Sequence, residues 1–218
     1  RVFKYLKDEK QIVLGIIYSY ALTNIFVVPV LTVVSPFFIN VTLNMPSGIY
    51  GLVEAVFVLG MIVGGLFITF KPKLFRLEII HKTMYPMIFA ILVMSFSTYI
   101  NSESERTILI LYGIGGFSIM MSLALSNIIS MTYIQQNIKI EMLGKVSAFS
   151  TAVATASVAP GQLIYGQLID MNLELYIILL ITFFFCIWVI RFVKANAQKA
   201  NVFVKFENEK FDLVDRPS

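Results

Sequence analysis

One cysteine, one histidine and one tryptophan in 218 residues, with charged residues held to 14%, exclude several classes of protein at once. Cys186 alone can form no internal disulfide, and a lone thiol in an apolar run is expected to serve packing. His81 falls between two apolar segments, so neither an HExxH metal pair nor a serine–histidine dyad inside a membrane can be assembled. A glycine-rich phosphate loop with its lysine is lacking too. The chain does not read as an enzyme: no catalytic residue, metal site or cofactor is expected. Scarcity of charge also excludes an ordinary soluble domain. At 58% hydrophobic residues and a mean hydropathy of +0.82, the apolar surface exceeds what one small core could bury, and lipid must solvate the remainder.

What abounds is uninterrupted apolar sequence. Six stretches, roughly Gln11–Ile39, Gly48–Phe70, Met84–Ile100, Thr107–Tyr133, Gly144–Ile169 and Leu173–Ile190, approach or exceed the ~20 residues a helix needs to cross a bilayer core. Basic residues collect in every second gap. Arg1, Lys4, Lys7 and Lys10 precede the first stretch; Lys71, Lys73, Arg76 and Lys82 separate the second from the third. Lys139 and Lys145 lie at the junction of the fourth and fifth, and the run from Arg191 to Arg216 follows the sixth, leaving Arg106 alone on the other side. Positive charge is retained in the cytoplasm, so the split predicts six spans with both termini inside, in a multi-pass protein of the cell membrane. The predicted organisation is a cytoplasmic linker at 1–10, a six-helix transmembrane domain at 11–193 and a partly disordered cytoplasmic tail at 194–218.

The net charge of +4 suits a lipid bilayer with anionic headgroups; nucleic acid is not an expected partner, since the basic residues form no continuous patch beyond the membrane edge. The first stretch is too long for a signal peptide and carries Pro29 and Pro36. Arg1 in place of a starting methionine suggests the downstream part of a longer protein. Tyr50, Tyr99, Tyr112 and Tyr176 fall near outer span ends and Tyr85, Tyr133 and Trp188 near inner ends, as aromatic belts would place them.

The twelve glycines avoid the third and sixth stretches altogether. Glycine lets membrane helices approach closely, so glycine-bearing spans are expected inside and the other two against lipid. Two inner helices and one outer, repeated once, describe an inverted three-plus-three repeat within an all-α membrane protein. Gly60 and Gly64, spaced as a helix seam, lie beside the wheel face shared by Gly51, Glu54, Val58, Met61 and Gly65.

Glu54 stands about six residues, or ~9 Å, inside the second stretch, and no other charged side chain lies so deep. A central charge costs about 2.5–3.5 kcal/mol on insertion scales, so such a carboxyl faces a cavity or a partner and favours its neutral, protonatable form. Proton coupling or cation recognition is one reading, and a packing carboxyl hydrogen-bonded to a neighbouring helix is the other. Asn24, Asn127 and Gln162 are the bulkiest uncharged polar groups within the glycine-bearing stretches and are candidates to line a substrate cavity. Ser118, Ser122, Ser126 and Ser130 share a stripe, and Ser147, Thr151 and Thr155 follow in the fifth stretch; helix–helix hydrogen bonds account for such residues in most cases. Pro160-Gly161 is expected to kink the fifth span, because proline removes one helical hydrogen bond and clashes with the preceding turn.

Three segments carry a resemblance. Tyr50-Gly51-Leu52-Val53-Glu54-Ala55 with Leu59-Gly60-Met61-Ile62-Val63-Gly64-Gly65 is the first. Met131-Thr132-Tyr133-Ile134-Gln135-Gln136 with Gly144-Lys145-Val146 is the second, and Pro160-Gly161-Gln162-Leu163 with Gly166-Gln167-Leu168-Ile169-Asp170 is the third. Together they resemble the eighth helix, the loop between the tenth and eleventh, and the eleventh helix of major facilitator superfamily transporters, in the branch that includes macrolide exporters. The likeness spans about 1–193 and implies the C-terminal six-helix half of such a fold, with spans one, two, four and five around the cavity. Lys145 replaces the arginine usual after that glycine, and the loop holding Lys71, Lys73 and Arg76 lacks the acidic residue of the gating motif. The resemblance implies proton-coupled efflux of small, largely apolar compounds, drugs among them. Glu54 would couple protons, Asn24, Asn127 and Gln162 would meet the substrate, and Pro160, Gly161, Gly64 and Gly65 would serve bending or gating. A missing N-terminal six-helix half, in the same chain or as a partner, would complete the cavity. A six-helix half-transporter or channel working as a homodimer, and a non-transporting scaffold, are the alternatives.

Overall fold

The computed structural model describes residues 2–70, 77–100 and 105–214, with side chains as far as residue 199. Six helical segments are long and apolar enough to cross a membrane: Gln11–Thr42, Ser47–Phe70, Leu77–Tyr99, Glu105–Asn137, Ile140–Asp170 and Leu175–Lys199. They are called spans one to six below. Lipid offers no hydrogen bonds, so an apolar run must satisfy its own backbone, and helix is the solution a single run can reach alone. Among the described residues there is no strand. Spans one and two, and spans five and six, are joined by tight turns in which Asn44 (φ 50°) and Asn172 (φ 57°) take the left-handed conformation, which asparagine tolerates better than other side chains with a Cβ.

Span four packs against spans two and three, span six against spans three and one, and span one against span five. A short amphipathic helix, Val2–Glu9, precedes span one and buries Leu6. The order of burial departs from the glycine expectation. Span three, which has no glycine, is the most enclosed of the six, while spans two and five carry the widest exposed faces. Glycine here marks individual close approaches and not the depth of a whole helix. A Cβ on Gly60 would run into the Phe117 carbonyl oxygen, and one on Gly64 would sit 2.8 Å from that of Met121, so spans two and four touch backbone to backbone. Gly48, Gly51, Gly144 and Gly166 meet nothing within 4 Å.

Two further expectations are corrected. Tyr112 belongs to no interfacial belt: it is fully buried, shares a 3.0 Å hydrogen bond with Ser35 and lies between Phe38 and Phe57. Gly64 and Gly65 lie within a helix that runs unbroken from Ser47 to Phe70. The sixth helix does not stop near Val193; it continues to Val214, since neither glycine nor proline occurs between Arg191 and that residue. Lys71, Lys73 and Arg76 lie outside the described residues. Lys145 is exposed on the helix Ile140–Ala156.

Candidate functional site

Prolines determine where span one can be reached from its neighbours. Pro29 has no N–H, and the regular helix ends at Phe26, three residues earlier. Val30 then turns its N–H to the Val27 carbonyl at 3.1 Å, which leaves the Phe26 carbonyl without its usual donor four residues on. Tyr165 of span five fills the vacancy, donating to Phe26 O at 2.7 Å. The pattern recurs one turn later. Between Val30 and Val34 the helix widens, so Ser35 gives its N–H to Val30 O, and Pro36 has none to give Leu31. The Leu31 carbonyl accepts instead from the Tyr50 hydroxyl of span two at 3.4 Å. The Phe26 and Leu31 carbonyls thus each accept from a tyrosine of a different helix.

Span five is broken in the same manner. Pro160 cannot donate to Ala156, and the helices Ile140–Ala156 and Val158–Asp170 meet at Ser157, whose hydroxyl closes on Val153 O at 2.7 Å. The break expected from Pro160-Gly161 therefore lies three to four residues before it. Gly161 serves another purpose: a Cβ there would sit 2.5 Å from the Ile25 carbonyl oxygen and 2.9 Å from Pro29, so the two interrupted stretches are in contact.

Polar groups collect along this crossing. Tyr20 and Asn24 lie one turn apart before the break in span one and Thr32 lies beyond it, and these form its polar stripe. Tyr20 donates to the Asn127 backbone carbonyl of span four at 3.2 Å. The Asn24 side-chain amide donates to Ala154 O of span five at 2.7 Å, and that of Gln162 to Thr32 Oγ1 at 3.1 Å. Thr32 is exposed and Asn24 and Gln162 are half-buried, so the stripe lies on an open side of the six-helix unit. Asn127 itself is exposed; with Tyr20, Ser126, Ser130 and Asn196 it borders a cavity of about 20 Å³, room for a single water. The structure thus gathers Asn24, Asn127 and Gln162 around span one without enclosing all three in one pocket.

Glu54 is not enclosed by the bundle. Val53 and Phe57 take the buried positions of span two, and Glu54 falls on the exposed side with Gly51, Val58 and Met61. It stands one turn from Tyr50, whose hydroxyl reaches span one at Leu31. Thr151 and Thr155 of span five are likewise exposed. Among the described residues, no three of His, Cys, Asp and Glu come together as metal ligands would.

Sequence reasoning missed Tyr20, Thr32 and Tyr165. The four-residue spacing of Tyr20 and Asn24 was the available signal for the first of them; Tyr165 carried none, since its partner is a carbonyl freed by a proline in another helix. Tyr165 also shares a 2.5 Å hydrogen bond with Thr182 of span six, so a single hydroxyl ties three spans together. Tyr165→Phe is expected to lower unfolding stability in mixed micelles by about 1–3 kcal/mol, the cost of leaving buried polar groups unpaired. A loss below about 0.5 kcal/mol would show that the freed carbonyl finds another donor.

No protein family, characterised protein or solved structure matches this chain.

Proposed function

We propose that the chain is one six-helix half of a secondary transporter of the major facilitator kind, exporting small, largely apolar compounds in exchange for protons. The open polar stripe on span one is the observation that carries this. Beside the half-buried Asn24 and Gln162, Thr32 of span one, Glu54 of span two and Thr151 and Thr155 of span five are exposed. Acyl chains are a poor solvent for them, and Glu54 alone would cost about 2.5–3.5 kcal/mol in its charged form. A second six-helix unit facing this side would cover them and enclose water and substrate between the halves.

Two observations support the internal repeat. The contacts keep their pattern when spans one and four, two and five, and three and six are exchanged. Spans two and five, which that exchange pairs, hold the widest exposed faces. Interrupted helices that touch near their breaks, as spans one and five do, are a recurrent way to present polar groups in a cavity. Lys139 and Lys145 lie at the end of the bundle that would face the cytoplasm. The experiment is transport by the intact protein in vesicles: an imposed proton gradient should drive accumulation of a lipophilic cationic fluorophore and depend on Glu54. Accumulation indifferent to the gradient would overturn the proposal.

A further inference from the structure

Spans one and six pack together before the Pro29 break, and the side chains along their outer edge leave a groove of about 560 Å³, lined by Leu22, Phe26, Ile181, Phe184, Phe185 and Trp188. Phe26 and Phe185 stack face to face at 4.3 Å and form its floor. Phe184 is 68% exposed and Trp188 52%, so the groove opens sideways, away from any helix of the bundle. Its size lies within the range of ligand sites, and its lining offers only carbon surface and the indole N–H.

Charge at one end distinguishes the groove from ordinary lipid-facing surface. Arg191 follows Trp188 by three residues and Phe184 by seven, which places it on the same helix face about 4.5 Å further along. It is exposed, and no acidic residue occurs between Leu180 and Lys199 to neutralise it. Trp188 and Phe192 stack at 6.5 Å at the level of this charge, a pairing suited to the boundary between acyl chains and headgroups. Lys194 is turned off this face toward His81. An apolar slot ending at an exposed guanidinium matches one class of molecule: a long hydrocarbon chain with an anion at its end.

We infer that the groove between spans one and six is a binding site for an anionic phospholipid, with an acyl chain against Phe26, Phe184 and Phe185 and the phosphate at Arg191. Arginine's planar donors can hold a phosphate through two hydrogen bonds, which a passing neutral headgroup does not reward equally. The inference rests on the helices spanning a bilayer and not on transport, so the two proposals fail separately.

Trp188 is the only tryptophan of the chain and lines the groove, so its fluorescence reports the occupant directly. The experiment uses the chain in bilayer vesicles of phosphatidylcholine and phosphatidylglycerol, with brominated acyl chains on one lipid at a time. Quenching should show roughly fivefold preference for phosphatidylglycerol, the factor one basic contact near the surface contributes. Arg191→Gln should bring the preference to near parity, Arg191→Lys should retain part of it, and Lys194→Gln should leave it intact. Equal quenching by the two lipids in the unaltered chain, meaning contact with bulk lipid only, would overturn the inference. So would a preference that survives Arg191→Gln, because the cause would then be the general positive charge of that membrane edge.

Discussion

With Glu54 replaced by glutamine, gradient-driven transport by the intact protein is expected to fall by roughly 5- to 150-fold, while substrate binding changes little. That range corresponds to a coupling free energy of about 1–3 kcal/mol between proton and substrate. Glutamine keeps the shape and hydrogen-bonding capacity of a protonated glutamate but cannot release the proton. Glu54 lies on an exposed face of span two, seven residues into the helix. If a second half closes over that face, closure is opposed by a charged carboxyl and permitted by a neutral one, so protonation selects between the two arrangements. Asn24, Thr32 and Gln162 lie on other spans and keep their hydrogen bonds in the variant, Asn24 to Ala154 O and Gln162 to Thr32. Binding should persist, measured by equilibrium titration of the fluorophore. Gradient-driven uptake at the unaltered rate would remove Glu54 from the mechanism.

The largest effect on stability is expected at the seam behind it. Gly60→Leu forces a branched side chain into the Phe117 carbonyl, and main chain cannot step aside as a side chain can. Overpacking usually costs 1–3 kcal/mol; with backbone on the far side the loss should reach about 3 kcal/mol, read as a lower midpoint of unfolding in mixed micelles. Gly51→Leu provides the contrast. It lies on the same helix with nothing within 4 Å of its missing Cβ, and should change stability by less than about 0.5 kcal/mol. Equal effects at the two positions would mean that spans two and four do not meet along Gly60 and Gly64.

The contrast between those glycines also shows what could be read from residue order alone. Six spans, their approximate limits and the use of Gly60 and Gly64 as a seam followed from apolar length and helical spacing, which are local properties. Which spans lie deepest did not follow. Glycine content reports how closely two backbones meet, and spans two and five combine one tight seam with a broad open face. The break in span five was legible from Pro160, displaced by the turn that proline disturbs. Span one carried the same signal in Pro29 and Pro36, but which helix would answer the freed carbonyls depends on neighbours more than a hundred residues away: Tyr165 to Phe26 lies outside any local pattern. Tyr112 fails for a similar reason, since position near a span end suggested an interface and contact with Ser35 and Phe38 makes it core. Asn24, Asn127 and Gln162 stood out because bulky polar groups are costly in lipid; their common association with span one is a product of the packing.

Water at the open stripe is the most direct test. In a chain with Cys186 replaced by alanine, single cysteines at Asn24, Thr32, Glu54 and Gln162 can be compared with one at Phe184, which is well exposed but faces the groove of spans one and six. A membrane-impermeant, water-soluble thiol reagent needs the thiolate, which forms in water and not among acyl chains. The intact protein in native membranes should be labelled at the stripe positions, more slowly when substrate is present, and remain unlabelled at position 184. Stripe cysteines as unreactive as the one at 184 would contradict an aqueous cavity on span one.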